Sequence, residues 1–137
     1  MTGTQTLEQK RASFALGRIN ARKSLTAGDQ KKYVSYVSAL PATIVMNGLG
    51  QALAAELAAA KGDAKNPHRL VYEDVAGWLT KTEALPELHG KTDLLEALVQ
   101  GDQHVYVRAQ GEALRYCTWL KQFARAFLEN PDGTVDR

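Results

Sequence analysis

From Gln103 to about Glu129 the chain runs without a proline, and its apolar side chains recur with a helical period. At 100° per residue Ala113, Cys117, Leu120, Ala124 and Phe127 fall on one arc, with Tyr116 beside it. That stretch predicts the longest helix of the chain, opened by Gly101-Asp102 and closed by Asn130-Pro131. A helix with one greasy face needs partners to cover it, so the sequence is steered toward an all-α bundle.

The remaining segments agree. A first helix is predicted from about Leu7 to Ser24, capped by Thr4 or Thr6, with Thr26-Ala27-Gly28 breaking it. A second starts near Asp29 as N-cap and reaches about Ala39. Pro41 suits the first turn of a third, running to Lys61 and stopped by Gly62. Val45, Leu49, Leu53 and Leu57 form a ladder on it, and Ile44, Met46 and several alanines grease the other faces, which predicts a central position. Asn66-Pro67 opens a fourth helix through Trp78 to Lys81, Leu85-Pro86 to Gly90 reads as a loop, and Asp93 caps Leu94 to Gln100. Alternating β-branched runs joined by Asn-Gly turns are absent, and Asn47-Gly48 is placed inside the apolar helix. The expectation is one all-α domain over 1–137: a bundle of about five to six helices with a central apolar helix and a long C-terminal helix. Residues 1–6 and 131–137 are expected to be loose.

Composition bounds the function classes. The chain is 45% apolar and 23% charged, enough to fold around a core without staples. Cys117 is the sole cysteine, so no internal disulfide can form; with no signal-like segment, a reducing cytoplasmic setting is expected. No run approaches the roughly eighteen uninterrupted apolar residues a membrane span needs, so no membrane partner is expected.

Catalytic readings fare poorly. Cys117 lies on the apolar arc and reads as a small core hydrophobe. His68, His89 and His104 sit in different segments without metal-ligand spacing. Glu73 and Asp74 point about 100° apart on a helix, so they would not share a metal. Asp93 and Glu96 have capping-box spacing. No phosphate loop or nucleophile elbow is present; Gly48 and Gly50 read as points where another helix comes close. The expectation is a protein with no enzyme activity, no cofactor and no metal.

Charge is more informative. Net charge is +2, yet residues 1–32 balance at +5 and residues 33–101 at −3. Arg11, Arg18 and Arg22 fall within about 40° of one another on the first helix, forming one stripe. On the last helix Arg108 and Arg115 share a face with Gln122, while Lys121 and Arg125 share a neighbouring face; all point away from the apolar arc. Between Gln103 and Leu128 the one acid is Glu112. Acid-poor basic stripes suit a polyanion, because binding strength grows with the number of phosphates neutralised. Aromatics are not interleaved with these arginines, Trp119 excepted, so phosphate contact is expected rather than base reading.

Three blocks carry a resemblance: Tyr33 through Leu53 (YVSYVSALPATIVMNGLGQAL), Trp78-Leu79, and Tyr106 through Leu128 (YVRAQGEALRYCTWLKQFARAFL). In order and separation they resemble the small subunit of the Cmr, or type III-B, CRISPR RNA-guided interference complex. Pro41 followed by Asn47-Gly48-Leu49-Gly50, and the string Trp119 to Ala124, are the most specific parts. The resemblance implies a helical, non-nuclease subunit stacked head to tail in several copies beside the backbone subunits that hold guide RNA. Target cleavage would belong to a backbone subunit and second-messenger synthesis to the large subunit. Its implied partners are guide RNA, target RNA, the other Cmr subunits and copies of itself. It places Arg108, Arg115, Lys121 and Arg125 in a basic last-helix motif, with Gln122 standing where another basic residue would fit. Arg11, Arg18 and Arg22 rest on charge arithmetic alone. A pure protein–protein adaptor that never touches RNA is the rival reading.

Overall fold

The computed structural model describes residues 3–131. Of the ends expected to be loose, residues 1, 2 and 132–137 lie outside the described residues. Six α-helices follow in order: α1 (Leu7–Arg22), α2 (Ala27–Asn47), α3 (Leu49–Ala60), α4 (Pro67–Leu79), α5 (Leu94–Gln100) and α6 (Gln103–Phe127). A single 3₁₀ turn, Pro86–Leu88, lies between α4 and α5. The fold is all-α, and no strand occurs among the described residues.

Local chemistry explains most boundaries. Thr6 and Gln9 form a reciprocal capping box at the start of α1. Asn66 caps α4 with Pro67 at its first position, Asp93 caps α5 through Glu96 N–H, and Asp102 accepts from the N–H groups of His104 and Val105. At α2 the cap is Thr26, whose hydroxyl accepts from Asp29 N–H; Asp29 sits inside the first turn instead of capping it.

The largest departure from expectation concerns Pro41. It does not open a helix but lies inside α2, which continues to Asn47. Proline removes one N–H there, and tertiary packing carries the helix through. The break comes at Gly48, with φ +90° and ψ 157°, a backbone region open essentially to glycine. The first turn of α3 is then capped from outside: Gln110 Oε1 accepts from Leu49 N–H at 2.9 Å and the Tyr106 hydroxyl from Gly50 N–H at 2.8 Å. A Cβ at Gly48 or Gly50 would lie 3.2 Å from that hydroxyl. Gly48 and Gly50 thus mark a close helix approach, as their sequence context suggested, though Asn47-Gly48 ends a helix.

The helices share one core. α6 packs on α1 and α2, and α4 packs on α2 and α3. Tyr33, Leu40, Ile44, Leu53, Leu79, Tyr116 and Leu120 are fully buried. Of the arc read on α6, Ala113, Cys117, Leu120 and Ala124 are completely buried, while Phe127 is 51% exposed near the helix end. The greasy stretch between Pro41 and Lys61 does not form one central helix. Gly48 divides it; Ile44, Leu49, Ala52 and Leu53 are buried, and Val45 and Met46 face outward at 68% and 80% exposure. Alanine-rich composition gave α3 apolar faces that packing leaves open: Ala54, Ala55, Ala58 and Ala59 are exposed.

Candidate nucleic-acid interface

The first-helix stripe folds inward. Arg11 Nε and Nη2 donate to the two carboxylate oxygens of Glu112 at 2.6 and 2.9 Å, and Nη1 donates to Glu8 at 2.9 Å. The Trp78 indole N–H donates to the same Glu112 at 2.8 Å. Hydrogen bonds to Glu112 hold the Arg11 pKa above its ordinary value, despite the cost of burial. Further along α1, Arg18 and Arg22 meet Asp74 of α4, which is fully buried. It accepts from Arg22 Nε and Nη2 at 3.0 and 2.5 Å, from Arg18 Nε at 2.7 Å and from the Tyr33 hydroxyl at 2.5 Å. Burial pulls the Arg22 pKa down, but the hydrogen bonds and charge of Asp74 together raise it. Burial and the Asp74 charge push the Tyr33 phenol well above its usual value.

This corrects the reading of Arg11 and Arg22 as surface phosphate ligands: both are buried, at 7% and 9% exposure. The physical reason is that a carboxylate arrives from a different helix to meet each one, Glu112 from α6 and Asp74 from α4. A buried charge is tolerated when it is paired in this bidentate way. Arg18 is intermediate; its side chain is 37% exposed while it donates through Nε to Asp74. The pairing of Glu73 and Asp74 dissolves as their angular separation required. Glu73 turns outward to Arg69 at 3.0 Å and Asp74 turns inward.

The last-helix residues lie at the surface. Arg115 is exposed, and Lys121 and Arg125 are half-buried. Arg108 reaches Glu87 on the 3₁₀ turn through two hydrogen bonds of 2.9 and 3.1 Å and donates to the Ala84 carbonyl at 3.0 Å. The Arg108 guanidinium holds the Glu87 carboxyl below its usual range. Arg108 therefore ties the loop onto α6 as well as lying on its basic face. Together with Arg115 it lines an open groove of about 490 Å³ between α1, residues 84–85 and α6. Trp119, at the edge of that face, donates its indole N–H to Glu8 at 3.0 Å. Because Glu112 is buried and bound to Arg11 and Trp78, the exposed surface of α6 carries four cations and no carboxylate of its own.

The other candidates stay apart. Cys117 is fully buried, and desolvation pushes its thiol up to about 12. His68 Nδ1 meets Glu56 at 2.9 Å and its ring stacks on Tyr36 at 3.6 Å between centroids. His89 and His104 are exposed in separate segments. Among the described residues no group of three or more His, Cys, Asp or Glu side chains could hold a metal ion. No helix there is long and apolar enough to cross a membrane.

The structure is thus a small all-α bundle whose last helix carries exposed and half-buried basic side chains. Residues 7–127 match the family described as CRISPR-associated protein (Cas_Cmr5), and the chain belongs to that family, the small helical subunit of the type III-B Cmr complex. Among solved structures, a CRISPR-associated Cmr5 family protein from Thermus thermophilus has the same fold, with a TM-score of 0.68 at 24% identity. The match covers 91% of this chain and 100% of that one.

Proposed function

We propose that this subunit is a non-catalytic, cytoplasmic scaffold of a type III-B effector complex that holds the backbone of the target RNA–guide duplex against α6. The observation that carries this reading is that α6 contributes no carboxylate of its own to its outer face. The helix's only acid has been drawn into the core, so Arg115, Lys121 and Arg125, with Arg108 at the margin, give that face a positive character. Contacts of this kind touch phosphates without reading bases, which fits a complex whose sequence choice comes from guide pairing. Each contact is modest, and copies stacked head to tail would add contacts at fixed spacing. Head-to-tail stacking requires two different patches per copy. The outward Val45, Met46 and Val107 offer apolar surface for a protein neighbour, which also favours the adaptor reading.

The test is charge reversal in the assembled complex. Lys121→Glu with Arg125→Glu is expected to weaken target RNA capture and flatten its salt dependence while the fold persists. Unchanged capture at physiological salt, with no crosslinks from RNA to α6, would leave the adaptor reading standing. Alanine at His104, Glu73 or Cys117 should leave target cleavage as it is; a loss without unfolding would reopen an enzymatic role.

A further inference from the structure

An open groove of about 670 Å³ lies between α1 and the end of α4. Phe14 and Trp78 form its apolar floor, their ring centroids 5.5 Å apart. Around it stand Lys10, Arg18 and Lys81, against one acid, Glu83. Lys10 is paired with Glu83 at 2.7 Å. Lys81 holds its ammonium 5.3 Å from the Phe14 ring centre.

The charge behind the groove does not balance. Asp74 is one buried carboxylate shared by two guanidiniums, the half-exposed Arg18 and the buried Arg22, so the three side chains together keep a net positive charge. Arg18 is the member that reaches the groove, and it uses only Nε on Asp74; among the described residues its two Nη groups donate to no acceptor. Gly17 lies on the rim, and a Cβ there would meet nothing within 4 Å. Glycine weakens a helix interior relative to alanine, and here it leaves the groove open. A ring face flanked by an incompletely neutralised guanidinium and the Lys81 ammonium suits a ligand that brings both a flat base and a phosphate.

We infer that the α1–α4 groove binds one nucleotide of a single-stranded RNA, its phosphate on Arg18 and Lys81 and its base against Phe14. A base that takes the ring face displaces Lys81 from it, and the accompanying phosphate gives that ammonium a stronger partner. This site is separate from the α6 face, and its RNA contact does not depend on it.

The experiment titrates the isotopically labelled full chain with decauridine RNA, uridine monophosphate and inorganic phosphate, following the Gly17 amide and the Trp78 indole resonances. The RNA is expected to shift both, and Gly17→Glu, which puts an acid into open space, should weaken binding by about tenfold or more with an unchanged thermal midpoint. Gly17→Ala should bind nearly as the parent does. Lys81→Glu, at an exposed position, should reproduce the loss and serves if Gly17→Glu folds poorly. Lys121→Glu with Arg125→Glu should leave the shifts intact, which separates this site from the α6 reading. The inference is overturned if RNA moves neither resonance, or if both Gly17→Glu and Lys81→Glu bind as the parent does. Equal response to uridine monophosphate would make a free nucleotide the occupant and overturn the strand assignment. Response to inorganic phosphate with no gain from a base would overturn the role of Phe14. Release of Gly17→Glu from the assembled complex with RNA binding retained would assign the groove to a neighbouring polypeptide instead.

Discussion

Arg11 on α1 and Arg115 on α6 are the same residue at the same kind of position, a basic side chain on a long amphipathic helix. Arg11 is clamped by both oxygens of Glu112 and sealed from water, while Arg115 stands exposed. Their own helices do not distinguish them. The difference is supplied by the neighbour: α6 sends a carboxylate to Arg11, and no described acid is bonded to Arg115. A basic stripe is thus a statement about one helix, and whether it is surface or core is decided by what packs against it.

The comparison can be broken or sharpened by a graded series. The largest effect is expected at Asp74, where Asp74→Ala strands Arg22 and Tyr33 in the interior and leaves Arg18 unpaired. A loss of about 3–5 kcal/mol in urea unfolding is expected, a large part of the roughly 5–15 kcal/mol that a domain possesses. A loss under about 1 kcal/mol would mean that the inner arginines find water. Next comes Glu112→Ala, which uncouples Arg11 and orphans the Trp78 indole; about 2–4 kcal/mol is expected by the same measurement. Arg11→Ala should likewise lower stability, and it should change RNA capture only as far as it unfolds the protein.

A third test uses buried groups of α2 and α6. Burial raises the Cys117 thiol to about 12 and the phenols of Tyr33 and Tyr116 well above 10.0, so the folded state holds all three protonated where the unfolded chain would ionise. Their stabilising contribution is complete below the unfolded pKa values and declines as pH rises above about 9. The thermal midpoint should fall progressively on that alkaline limb, and Cys117 should resist thiol reagents at neutral pH until the protein unfolds. Reaction of the native thiol at the rate of a free one would show that this face opens. The smallest effect belongs to Arg115→Ala, within about 0.5 kcal/mol of the parent, yet it should weaken RNA capture by the complex. If Arg115→Ala destabilised as much as Arg11→Ala, the contrast between the two arginines would collapse.

Much of this molecule was legible before any coordinates. The Asn66-Pro67 start, the Asp93 and Asp102 caps, and the buried run Ala113, Cys117, Leu120 and Ala124 follow from interactions between residues three or four apart. Where the reading failed, the deciding partner was far away in sequence. Pro41 stays helical because α2 is held along its length by α4 and α6, and the chain turns at Gly48, where Tyr106 and Gln110 of α6 cap the new helix. One available signal was passed over: Asp74 and Glu112 are acids inside otherwise apolar helical patterns, and a buried acid calls for a basic partner. Such a pattern still does not name which of seventeen cations will answer it.

The sequence by itself determined an all-helical chain, most of its helix ends and the family to which it belongs, because periodicity, caps and the matching blocks are local properties of the chain. Tertiary structure alone decided which arginines are core and which are surface. An ion pair between α1 and α6 joins residues 101 positions apart, and its formation depends on how two helices lie against each other, which no local pattern records.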